Sequence, residues 1–113
     1  MAAKNTFQGM LSDFFLKYVP SRSLYSENTV KAYRDTFILL CHYHEARHKT
    51  PVSKIEMGSL DEEYIAGFMS WLGTDRHYPA SSLNQRLAAL HAFYRYVQKH
   101  APEYMAVCQP WIG

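Results

Sequence analysis

With 113 residues the chain has room for one small domain, large enough to bury roughly two thirds of the surface its unfolded form exposes. Hydrophobic residues at 48% and aromatics at 15% exclude a disordered polar chain, and Cys41 and Cys108 lack the spacing of a disulfide framework or a zinc ribbon. The net charge of +2 names no partner, but its distribution is lopsided: residues 56 to 75 hold Glu56, Asp61, Glu62, Glu63 and Asp75 without Lys or Arg, and residues 76 to 100 hold Arg76, Arg86, Arg95 and Lys99 without an acid.

Phe7, Met10, Leu11, Phe14, Phe15 and Tyr18 recur at the spacing of one apolar helix face, and Pro20 marks the end of this first helix. Ser26 is a suitable N-cap for the second. There Val30, Tyr33, Phe37, Leu40, Cys41 and His44 form an apolar stripe, with Glu27, Lys31, Arg34, Asp35, His42 and Glu45 opposite, as far as about His48. A loop with Thr50-Pro51 and Met57-Gly58 follows. Ser59 and Glu62 then predict a capping box opening a third helix, which carries Tyr64, Ile65, Phe68, Met69 and Leu72 inward. Tyr78-Pro79 breaks the chain, Ser81 or Ser82 caps, and a fourth helix runs through Val97. The tail from Ala101 to Gly113, with Pro102 and Pro110, reads as irregular or briefly helical. No strand-like alternation competes, so the expectation is an all-α fold, four helices around one core. No basic-then-apolar leader opens the chain and no apolar run is long enough for a bilayer, which predicts a cytoplasmic protein without a membrane partner.

The fourth helix is the distinctive one. At ~100° per residue, Leu83, Leu87, Leu90, Phe93, Tyr94 and Val97 share one arc, with Asn84, Ala88, His91, Ala92, Arg95 and Lys99 on the far side. Small alanines keep that side flat, so a polyanion can approach while Asn84, His91, Arg95 and Lys99 donate hydrogen bonds. Arg86, at the edge of the apolar arc, either reaches out to solvent or anchors the helix. Such a face suits DNA phosphates, and Asn and Arg also read base edges in the major groove. Free N–H groups at the helix start, beside Ser81 and Ser82, offer a phosphate seat. The alternative is a solvated polar face.

Three features read as decoys. His44-Glu45-Ala46-Arg47 spells His-x-x-Arg, yet His44 lies on the apolar stripe and is expected to pack. His44 and His48 at i, i+4 supply only two metal ligands, so neither a metal nor any other cofactor is expected. Trp71, Phe93, Tyr94 and Tyr96 fall on apolar arcs and are assigned to the core, not to base stacking, whereas Tyr43, Tyr64 and Tyr104 are expected to remain partly exposed for a protein interface.

The segments "SENTVKAYRDTFILLCHYH" (Ser26 to His44) and "SSLNQRLAALHAFYRYV" (Ser81 to Val97) together resemble the N-terminal core-binding domain of tyrosine recombinases, the phage-integrase family with a SAM-like helical fold. Ser26, Thr29 and Tyr33 match the Ser-x-x-Thr opening and later Tyr of the family's second helix. Ser81, Ser82, Arg86, Leu87, Ala88, Leu90 and Phe93-Tyr94 match its fourth, with His91 where a base is usual. The resemblance covers about residues 7 to 100. It implies a compact four-helix orthogonal bundle, a SAM-like integrase N-terminal domain, that grips one face of double-stranded DNA while a C-terminal catalytic domain grips the other. The candidate DNA contacts it implies are Ser26, Thr29, Lys31, Arg34, Ser81, Ser82, Asn84, Arg86, His91 and Arg95, to which the helical wheel adds Lys99.

The same resemblance implies that residues 1–113 are one DNA-binding domain, with residues 101–113 starting the linker to a catalytic domain that is absent. The chain is then expected to be non-catalytic alone, either a piece of a longer recombinase or a natural truncation. Its partners would be double-stranded DNA and other recombinase protomers on that DNA, with no small-molecule substrate. A helical protein-interaction domain without DNA binding is the alternative, with the acidic third helix meeting a basic partner face.

Overall fold

A computed structural model of the protein describes residues 6–22 and 25–112, the side chain of Ile112 excepted. Its elements in chain order are α1 (Phe7–Asp13) running into a π-helical stretch (Phe14–Tyr18), α2 (Glu27–Arg47), α3 (Glu62–Thr74), α4 (Ala80–His100) and α5 (Met105–Ile112). Short 3-10 turns occupy Val52–Lys54, Met57–Ser59 and Pro102–Tyr104. Among the described residues there is no strand, and the fold is all-α around a single core.

The Thr6 side chain accepts from the Gly9 N–H at 3.0 Å to open α1. From Phe14 the winding widens, so that the Val19 N–H reaches the Phe14 carbonyl, five residues back, at 2.8 Å. The wide turn lets four closely spaced apolar residues share the inner side. Phe14 and Val19 are buried, Phe15 and Tyr18 pack beside them, and Leu16 is left 73% exposed. Phe14 meets Phe93 and Tyr96 of α4, each at 5.5 Å between centroids.

α2 opens as expected on Ser26, whose side chain accepts from the Thr29 N–H at 3.1 Å. Its buried set is Thr36, Phe37, Leu39, Leu40, Tyr43 and His44, broader than one stripe because α2 is packed by both α3 and α4.

α3 is capped by Asp61 and not by Ser59. The Asp61 carboxylate accepts from the Tyr64 N–H at 2.9 Å, while Ser59, held in a 3-10 turn, donates its hydroxyl to the Glu56 carbonyl. The reach from residue i to the N–H of i+3 decides the cap, and Asp61 is the residue so placed. α3 ends where the Asp75 and Arg76 N–H groups both find the Trp71 carbonyl, followed by His77 at φ 58° in the left-handed region. The Tyr78 N–H then closes on the Leu72 carbonyl at 3.1 Å.

Pro79, not Ser81 or Ser82, occupies the N-cap of α4, so the two serines fall in the first turn and no side chain caps the helix. The inner arc is Leu90, Phe93, Tyr94, Tyr96 and Val97, with Ala89 and Ala92 also buried. Tyr94 donates its hydroxyl to the Leu60 carbonyl at 2.6 Å, fixing α4 against the entrance to α3.

The tail is helical where the two prolines suggested irregularity. Pro102 stands at the first position of a 3-10 turn, where its missing N–H is no loss. Pro110 lies near the end of α5, where few later hydrogen bonds depend on it. Val107, Cys108 and Trp111 give α5 an inner face: Cys108 is fully buried, and Trp111 stacks on Tyr94 at 5.8 Å and 16°.

Candidate nucleic-acid interface

On α2, Ser26 is exposed at the cap, with its hydroxyl 3.0 Å from that of Thr29, which is half-buried. Lys31 and Arg34 are exposed on the side of α2 away from the core. Ile38 and His42 continue their row at helical spacing, and Ile38 is 47% exposed. Ile38 escapes a reading that counts charges, though its position seven residues after Lys31 is the signal that places it there.

On α4, Ser81, Asn84, Ala88, Arg95 and Lys99 are exposed and Ser82 is half-buried. The expected flat side is narrower than the wheel implies, because Ala92 is only 4% exposed and His91 is half-buried. α5 is part of the reason: the His91 ring lies 6.0 Å from that of Trp111. Burial, together with the Arg95 cation, holds the His91 imidazole below its ordinary pKa, so at neutral pH it acts as an uncharged donor or acceptor.

Arg95 influences α2 as well. Burial and the neighbouring Tyr25 push the Tyr33 phenol up, and the Arg95 guanidinium pulls it back. The Arg95 charge is thus felt by Tyr33 of α2.

Arg86 resolves as the anchor. Its Nη1 donates to the Ala32 carbonyl at 3.2 Å and to the Thr36 hydroxyl at 3.4 Å, and its guanidinium lies 5.8 Å from the centre of the Tyr78 ring. These contacts hold the guanidinium between α4 and α2.

Lys17–Asp13 and Arg47–Asp75 form ion pairs. Lys31, Arg34, Arg95 and Lys99 belong to neither, and all four are exposed on α2 and α4. The acids Asp61, Glu62 and Glu63 gather instead at the start of α3, where the helix dipole favours them.

The decoys resolve into packing. His44 is 5% exposed, with Nδ1 2.8 Å from the Tyr64 hydroxyl and Nε2 3.0 Å from that of Thr50, and its ring stacks on His48 at 4.9 Å. Arg47 turns to Asp75. Among the described residues no group of three or more His, Cys, Asp or Glu side chains could hold a metal ion. Trp71, Phe93, Tyr94 and Tyr96 are all buried. Tyr64 and Tyr104 are half-buried, but Tyr43, expected at an interface, is only 7% exposed, enclosed by Tyr64, Phe68 and Trp71 at 5.5–5.6 Å. Among the described residues no helix is long and apolar enough to cross a membrane.

Residues 13–100 match the family model described as phage integrase, N-terminal SAM-like domain. Among curated proteins the chain is 33% identical over 100 residues to "Putative integrase/recombinase y4rC" of Sinorhizobium fredii. The alignment takes in 88% of this chain but 30% of that relative, so the chain spans under a third of the relative's length. No solved structure matches it.

Proposed function

Because the chain belongs to the family of phage integrase N-terminal SAM-like domains, we propose that it is the double-stranded DNA-binding, core-binding module of a site-specific tyrosine recombinase. Lys31, Arg34, Arg95 and Lys99 neutralise phosphates. Asn84 and Ser81 donate from the same row of α4, and the uncapped first turn of α4 adds backbone N–H donors with Ser82 beside them. Ser26 and Thr29 present their hydroxyls at the start of α2. His91 contributes as a neutral partner, and Arg86 acts by holding α4 to α2. Cleavage and rejoining fall to a separate catalytic domain of the parent recombinase, with α5 packed as part of the DNA-binding domain, and other protomers of the recombinase are partners on the DNA. A reducing cytoplasm suits the two free cysteines, whose thiols burial pushes up, Cys108 to about 11.

The observation that carries this reading is the set of four exposed cations on the two helices concerned, none of them held in the Lys17–Asp13 or Arg47–Asp75 pair. A mobility-shift titration on duplex DNA tests it. Wild type forms a shifted complex, and Arg95→Ala with Lys99→Ala weakens it without altering the helical circular dichroism. Salt-sensitive self-association with no DNA shift supports a protein-interaction domain instead.

A further inference from the structure

Ile38 is an aliphatic side chain standing in a row of donors. Along α2, Lys31, Arg34, Ile38 and His42 follow one another at i, i+3, i+7 and i+11, which holds them within one narrow stripe. All four are exposed, and Ile38 at 47% is one of the largest apolar exposures among the described residues. Glu27 and Glu45 stand one turn beyond Lys31 and His42 and Asp35 flanks the stripe between Lys31 and Ile38, so its positive charge is confined to Lys31 and Arg34, just before Ile38.

The rise of a helix puts Lys31 and His42 about 16 Å apart, slightly more than the ~12 Å width of the major groove. A helix lying there with its ends near the two phosphate walls brings the residues between them, Arg34 and Ile38, toward the base edges. Of the two, the Ile38 side chain neither donates nor accepts a hydrogen bond. The apolar group that base pairs present in the major groove is the thymine C5-methyl. A β-branched side chain in a helix is also held largely in one χ1 rotamer, so it meets such a methyl with little loss of freedom.

We propose that Ile38 is a specificity-determining residue that reads the C5-methyl of a thymine in the recognised duplex. This rests on the DNA-binding reading above and adds to it a base preference that the cations do not supply.

The test uses the chain itself. Duplexes are enriched from a random library, and the best binder is resynthesised with deoxyuridine replacing thymine one position at a time, which removes only the methyl. Wild type loses affinity at one position by about fourfold, the value of burying one methyl-sized group. Ile38→Ala shows no thymine-to-uracil difference at that position, keeps the salt dependence of wild type, and keeps its circular dichroism because the site is exposed. Ile38→Val retains part of the discrimination. If wild type binds duplexes but no thymine methyl matters, or if Ile38→Ala discriminates as wild type does, the assignment of Ile38 fails while the DNA reading stands. If wild type binds no duplex at all, both fail together.

Discussion

The Arg86 guanidinium of α4 and the Ala32 carbonyl of α2 meet at 3.2 Å across 54 positions of sequence. The Thr36 hydroxyl donates to the same carbonyl at 2.9 Å and receives Arg86 at 3.4 Å, so one point on α2 gathers both side chains. The basic row of α4 and that of α2 thus have a fixed relation, set by an arginine that is itself turned inward.

Arg86→Ala is expected to destabilise the fold by about 1–3 kcal/mol, the cost of losing charge-assisted hydrogen bonds and the packed stem, read as a lower urea midpoint. Its DNA affinity measured well below that midpoint, and the salt slope of that affinity, should change less than in Arg95→Ala. An Arg86→Ala protein of wild-type stability would show that the contact does not couple the helices.

Gly67 faces Tyr43 so closely that an added Cβ would lie 2.5 Å from the phenol oxygen, with the ring carbon behind it at 3.6 Å. Tyr43 is flanked by Tyr64, Phe68 and Trp71, so to escape it must give up these ring contacts and turn into the open cavity it lines with Gly67. Gly67→Ala should therefore cost about 1–3 kcal/mol, despite the ~1 kcal/mol by which Ala exceeds Gly as a helix former. In a Tyr43→Phe background the colliding oxygen is gone, so the same substitution should become neutral or stabilising. A double-mutant cycle by chemical denaturation reads the difference.

Burial and the neighbouring His48 hold the His44 imidazole below its ordinary pKa, against smaller opposing pulls from Thr50 and Glu45. His91 is shifted the same way by burial and Arg95. As pH falls through about 6.5 the unfolded chain takes up protons that the folded chain refuses, so stability is complete above that pH and declines below it. The thermal midpoint should drop between pH 7.5 and pH 5.5, and His44→Gln should remove part of the drop. A midpoint that rises on acidification would contradict the burial of these rings as neutral groups.

Much of this architecture was legible from spacing. The Ser26 cap, the span of α2 and the inward arc of α4 follow from periodicity and from one hydroxyl at the right distance from a backbone N–H. The start of α3 was misplaced by two residues because Ser59 and Asp61 both fit a capping pattern, and only the local 3-10 turn, which engages Ser59 with Glu56, decides between them. α5 was obscured by its prolines, since a helix of eight residues has too few turns to display a period and is stabilised by contacts such as Trp111 on Tyr94. From sequence Arg86 suits solvent and core equally, because its partners, Ala32 and Thr36, lie 54 and 50 positions away, beyond the reach of any local pattern. Ile38 is silent in the sequence for a different reason: an exposed aliphatic matters only where its neighbours Lys31, Arg34 and His42 are exposed too.

The most direct test of the account is the salt dependence of duplex binding by the intact chain, followed by fluorescence anisotropy. Four cations at phosphates predict that log K falls against log salt with a slope of about −3.6, and that Arg95→Ala and Lys99→Ala each bring it closer to zero by about 0.9. Binding that is absent at low salt, or a slope that is flat or unmoved by these substitutions, would contradict the claim that this face meets DNA.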